Sequence, residues 1–202
     1  MGHNLRMATL TEEVVRQVPK VLLHEHLDGT LRPGTIVELA AKENYKLPVA
    51  DAAGMADWFH RGADRKNLGL YLEGFGVTIS LMQSADALER IAYEAILDAA
   101  SENIVYQEIR FHPGYHTMKG LTLEGVMNAV IAGMKRGEAE TGVRWGIIVC
   151  AMRNMDPKVS MEMAELAMNY RSRGVVGFDL AGEEAGHPPK HHVDAFHYVQ
   201  RA

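Results

Sequence analysis

The feature that most constrains this chain is an alternation of short, strand-like apolar runs with longer amphipathic stretches. Four runs read as strands: Lys20 to His26, Asn103 to Phe111, Val143 to Cys150 and Val175 to Leu180. Ala85 to Ala100 reads as a helix, because Leu88, Ile91, Ala92, Ala95, Ile96 and Ala99 recur at helical spacing. Thr122 to Glu140 reads as another, with Thr122 as its N-cap. Asp156-Pro157 starts a third that runs to about Arg173, where Gly174 stops it. A short helix opens at Thr11-Glu12-Glu13 and ends at Pro19, and Pro33 starts one with Ile36, Val37, Leu39 and Ala40 on its apolar face. Two helical patches, around Trp58 and from Leu68 onward, add to the connection between the first two strands. Pro188-Pro189 leads into a last helix with Val193, Phe196 and Val199 on one side. A helix followed by four βα units implies a parallel sheet with helices packed outside it. Four units suit a small doubly wound domain or half of an eight-stranded barrel, which takes about 250 residues. The pattern alone leaves both open.

Composition narrows the function. The 202 residues carry a net charge of −5, so no basic field points to nucleic acid or to an anionic membrane. A single cysteine, Cys150, excludes an internal disulfide and a cysteine-rich zinc site, and fits a reducing, cytoplasmic setting. It also excludes the zinc deaminases that need a Pro-Cys-x-x-Cys signature. No apolar stretch has the length of a membrane span, and Met1 to Arg6 lacks the core of a signal peptide.

The chemistry-bearing run is His24-Glu25-His26-Leu27-Asp28-Gly29. Alternate side chains of a strand share a face, so His24 and His26 point the same way at the C-terminal end of the first strand. Two imidazoles one strand step apart are spaced to bind one metal ion. Barrel enzymes place their chemistry at that end. Asp28 follows just beyond, within reach of a bound ligand. The bland alternative is a pair of surface or core histidines.

Pro19-Lys20-Val21-Leu22-Leu23-His24-Glu25-His26-Leu27-Asp28-Gly29-Thr30-Leu31 resembles the opening strand of the adenosine deaminase family. Val175-Val176-Gly177-Phe178-Asp179-Leu180-Ala181-Gly182-Glu183-Glu184 is similar to its fourth strand and the loop after it. The resemblance implies a (β/α)8 TIM barrel, of which this chain supplies the N-terminal half as a single domain, residues 1–202. Its first four βα units come with an N-terminal helix and extra helices between strands 1 and 2. It implies hydrolysis of adenosine, and of deoxyadenosine, to inosine and ammonia. It assigns His24 and His26 to a Zn2+ ion, sets His26 beside the substrate, gives Asp28 the ribose 5′-hydroxyl and gives the Gly182 N–H purine N3. Related adenine deaminases more often carry Glu at the place of Asp28. Leu68, Tyr71, Leu72 and Phe75, at i, i+3, i+4 and i+7, resemble an apolar helix that covers the purine, though such a stripe is also ordinary core. Met152 is expected in the base pocket, or as packing. His112 stands where many relatives have Ser. Asp179, Glu183 and Glu184 read as loop and packing groups, and His187, His191, His192 and His197 as solvated or capping histidines.

The family's third zinc histidine, its zinc aspartate and its catalytic glutamate belong to later strands, and no His-x-x-Glu run follows residue 182. The chain is therefore expected to be inactive alone, as a nicked product, a truncated form or a gene fragment. Its open first and fourth strands are expected to associate with the missing half, in cis or as a separate chain, or with further copies. Two other readings stand beside this one: a deaminase of adenine or of a modified nucleoside, and a non-catalytic half-barrel.

Overall fold

The computed structural model describes residues 10–63 and 68–201, with side chains described for all of these except 63 and 68–72. Four parallel strands, β1 (Lys20–His26), β2 (Ile104–Phe111), β3 (Arg144–Met152) and β4 (Val175–Ala181), pair in the order β1-β2-β3-β4. A doubly wound sheet reverses its strand order and carries helices on both faces. Here every crossover advances in the same direction, which puts the connecting helices on one face. That order selects the barrel arc over the doubly wound domain.

The helices are α1 (Glu12–Gln17), α2 (Pro33–Glu43), α3 (Ala52–Ala63), α4 (Leu68–Leu81), α5 (Ala85–Ser101), α6 (Leu123–Thr141), α7 (Pro157–Asn169) and α8 (Val193–Arg201). Their starts are local chemistry. Thr11, Ser84, Thr122 and Asp156 each accept a hydrogen bond from a first-turn amide, which satisfies one orphan donor of the helix end. Helix α7 stops earlier than its periodicity suggests. Tyr170 is buried, and its hydroxyl donates to Asn128 Oδ1 at 3.1 Å, so the chain leaves the helix there. A 3-10 turn over Arg171–Arg173 and Gly174 at φ +113° complete the reversal into β4. Strand β3 runs two residues past Cys150, because Met152 still pairs with Ala181 of β4.

The core fills the space between the sheet and α5, α6 and α7. Ile109, Phe111, Ile147 and Val149 meet Leu88, Ile91, Ile96, Val126, Met127, Val130 and Met134 there. Helices α5 and α6 approach closely. A Cβ at Gly133 would stand 2.1 Å from the Glu89 carbonyl oxygen, and one at Gly137 would stand 2.6 Å from Ile96 Cβ.

On the other face of the sheet, apolar side chains of the outer strands are exposed. Leu22 packs on the core, so its strand neighbours Val21 and Leu23 point away from it, and they are 58% and 55% exposed. Val176 of β4 is 53% exposed. The first strand is thus not a buried strand as its apolar run suggests; its lumen side has no covering layer among the described residues. Strand β1 also contains a bulge. Leu22 pairs with Gln107 and Glu25 with Ile109, so Leu23 and His24 together face the single residue Glu108.

Replacing Gly133 by Ala forces α5 and α6 apart against a backbone carbonyl. The expected loss is about 1–3 kcal/mol, the usual cost of overpacking, read as a lower urea midpoint with an unchanged slope.

Candidate active site

The C-terminal ends of the strands bring together His24 and His26 from β1, Arg110 and His112 from the end of β2, Cys150 and Met152 from β3, and Asp179 from β4. Register explains the set. His26 pairs with Arg110 and Cys150 with Asp179, so side chains of one phase line one face.

The His24 and His26 rings lie 5.4 Å apart, tilted by 50°. Both Nε2 atoms converge on one nitrogen: Arg110 Nη1 donates to His24 Nε2 at 2.8 Å and to His26 Nε2 at 3.2 Å. Arg110 Nη2 pairs with Asp179 Oδ2 at 2.5 Å, and its Nε is buried with no hydrogen-bond partner. A cation already sits where the two imidazoles aim, so both Nε2 lone pairs are turned to one point, which is the donor chemistry of a metal site. Among the described residues no cluster of three or more His, Cys, Asp or Glu is arranged to hold one.

A 3-10 turn over Leu27–Gly29 carries Asp28 back under the strand end. Asp28 is buried; its Oδ1 has no hydrogen-bond partner and lies 3.8 Å from His26 Nδ1. An unsatisfied carboxylate oxygen in a buried place is costly unless a ligand completes it. It opens into a cavity of about 350 Å³ whose lining includes His26, Phe75, His112, Met152 and Gly182. A larger cleft of about 430 Å³, between α3 and α4, shares Asp28 and Phe75 but contains neither His24 nor His26.

The walls follow from local structure. Phe75 of α4 meets His26 edge-on at 5.8 Å between ring centres. Gly182 has φ +99°, a conformation that side-chain-bearing residues rarely adopt, and a Cβ there would sit 3.2 Å from Met152 Cε. The side chains of Leu68, Tyr71 and Leu72 lie outside the described residues, although their backbone belongs to α4. His112 donates from Nδ1 to the Cys150 carbonyl at 2.7 Å, and burial holds its pKa below the ordinary histidine value. That bond leaves the Nε2 lone pair as its acceptor. Burial also pushes the Cys150 thiol up to about 11, which makes Cys150 a packing group and not a nucleophile.

Three residues depart from the sequence expectations. Asp179 forms an ion pair with Arg110, the residue bound to both histidines, so Asp179 is more than a loop group. His192 is not solvated. It is buried, with Nδ1 2.7 Å from Ser160 Oγ and Nε2 donating to the Arg153 carbonyl, because the turn before α8 (Pro189–His192) tucks it under the loop after β3. His187 lines the cavity beside Gly182. The missed signal was phase: Tyr106, Glu108 and Arg110 alternate along β2 opposite the buried Gln107, Ile109 and Phe111.

Among solved structures, the fold is similar to a zinc-bound amidohydrolase from Burkholderia ambifaria. The TM-score is 0.81 at 24% identity, over 98% of this chain and 54% of that one. It is also similar to an N6-mAMP deaminase from Arabidopsis, with a TM-score of 0.80 at 27% identity over 94% and 57%. The architecture is therefore about half of an amidohydrolase TIM barrel. The sequence profile of the family described as adenosine deaminase matches residues 19–202, and the chain belongs to that family. Adenosine deaminase 1 of Streptomyces coelicolor is 49% identical over 199 residues, 96% of this chain and 50% of that protein. The adenosine deaminase of Mycobacteroides abscessus is 47% identical over 194 residues, 93% and 53%. The chain spans about half the length of the curated relatives it matches.

Two outcomes follow from the buried groups. At pH 8 the native Cys150 thiol should react with a disulfide reagent at least about 100-fold more slowly than in the urea-unfolded chain, since two pKa units separate the states and burial adds to them. His116, fully buried with Nδ1 donating to the Met82 carbonyl, has its pKa lowered to about 4 by burial. The unfolded chain protonates this histidine first. Stability is therefore full above about pH 6.5 and falls as pH drops toward 4, by on the order of 3 kcal/mol. Urea midpoints across that range should show the fall, and His116→Asn should flatten it.

Proposed function

We propose that the protein to which this chain belongs hydrolyses the 6-amino group of adenosine, and of deoxyadenosine, with Zn2+ as cofactor. The observation that carries the reading is the Asp28 carboxylate, whose Oδ1 accepts no hydrogen bond, buried beside the converging histidine pair in a cavity lined by Phe75 and Met152. His24 and His26 are two of the zinc ligands. When bound, the metal lowers the pKa of a water so that hydroxide is available at neutral pH. Asp28 accepts the ribose 5′-hydroxyl, and His26 stands beside the substrate. The Gly182 N–H faces purine N3, where a bare backbone comes close to the ring. Phe75 and Met152 line the purine pocket and exclude water from one side of it.

Asp28 favours a nucleoside over a nucleotide, because a 5′-phosphate would meet a carboxylate of like charge. The chain is the N-terminal half of the barrel and a single domain, inactive by itself. Its companion is the C-terminal half, which brings the remaining zinc ligands and the catalytic glutamate and closes the edges of β1 and β4. Without that half, further copies of the chain pair with those edges and cover Val21, Leu23 and Val176. The reading places the protein in the cytoplasm. Among the described residues no helix is long and apolar enough to cross a membrane.

The test supplies the chain alone, and then with the C-terminal half of the Streptomyces coelicolor relative, and measures inosine and bound zinc. The chain alone should form no inosine, and the pair should form it and lose it with His26→Ala. Robust turnover by the chain alone would overturn the half-site reading. A zinc-loaded pair that deaminates only adenine or another purine would overturn adenosine as substrate.

A further inference from the structure

We infer that Arg110 is a built-in occupant of the metal position, a guanidinium that holds the histidine pair in its metal-binding form and must leave when a metal ion enters. One nitrogen, Nη1, lies 2.8 Å from His24 Nε2 and 3.2 Å from His26 Nε2. An arginine can only donate, so both Nε2 atoms present their lone pairs and carry their protons on Nδ1. A zinc ion bound through Nε2 takes the same two lone pairs at about 2.0–2.1 Å. Guanidinium and metal therefore exclude each other, by shared acceptors and by like charge.

The position is built rather than casual. The Arg110 side chain is only 7% exposed, its neighbour across the β1–β2 ladder is His26, and its far nitrogen is tethered to Asp179 Oδ2 at 2.5 Å. The tether gives the guanidinium somewhere to stay after it releases the histidines, and the buried, unpartnered Nε shows that its hydrogen bonding is incomplete in the present arrangement. Until metal arrives, the pair keeps a counter-group that fixes both rings on one point. The cost is a lower affinity for the ion.

The inference rests on reading His24 and His26 as a metal pair, and its test uses zinc alone, without nucleoside. Zinc affinity of the 202-residue chain is measured by competition with a chromophoric chelator. Arg110→Met combined with Asp179→Asn removes one positive and one negative charge, so net charge is unchanged. The double variant should bind zinc at least about tenfold more tightly, the scale of one hydrogen bond from a charged donor. Equal or weaker binding overturns the placeholder. Zinc binding that His24→Ala leaves untouched in both proteins overturns the metal pair itself. A measurement on the unsubstituted chain is independent of how the variant folds. The side-chain nitrogen resonances of Arg110 should shift as zinc saturates, and unchanged resonances at saturation overturn the inference.

Discussion

The packing of helices on one face of the sheet is the constraint on which the site depends. Strands β2 and β3 are held by α5, α6 and α7, and the spacing of α5 and α6 is set where Gly133 and Gly137 let two helix surfaces touch. That contact fixes the strands whose ends carry Arg110, His112, Cys150 and Met152. Burial of the Ile109 and Phe111 face leaves the opposite phase of β2 for Tyr106, Glu108 and Arg110. One face holds the chain together and the other face carries the chemistry.

Most of the fold was legible because the strand and helix signals are local. Thr122, Asp156 and Pro33 mark helix starts through hydrogen bonds made within a few residues, or through a φ angle fixed by the ring. The paired histidines were legible for the same reason, since strand periodicity alone sets them on one face. The Arg110 bridge was not. It joins β2 to β1 and to β4, and no spacing along the chain encodes a contact between residues 110 and 179. The burial of His192 was hidden likewise, because its partners Ser160 and Arg153 come from β3's loop and from α7. The exposure of Val21 and Leu23 agrees with the expectation of an open half-barrel: an apolar run announces that a strand seeks cover, not that cover is present.

The charges around the cavity are divided in a consistent way. Burial keeps His112 and His116 on the neutral side, so neither adds positive charge near Asp28. The positive charge is concentrated on Arg110, and Asp179 balances it on the far side of the histidine pair. Asp28 and the Nε2 of His112 both present acceptors to the cavity, which suits a ligand rich in hydroxyl donors.

The bulge in β1 has a consequence for how this strand tolerates change. Upstream of it, odd-numbered residues Val21 and Leu23 face the lumen; downstream, even-numbered His24 and His26 do. The doubled rung at Leu23 and His24 is thus a phase shifter. Loss of Leu23 would straighten the ladder and keep the histidines inward, whereas loss of Glu25 would turn one of them toward the helices. Chain length in β1 can drift at that single rung without unmaking the pair.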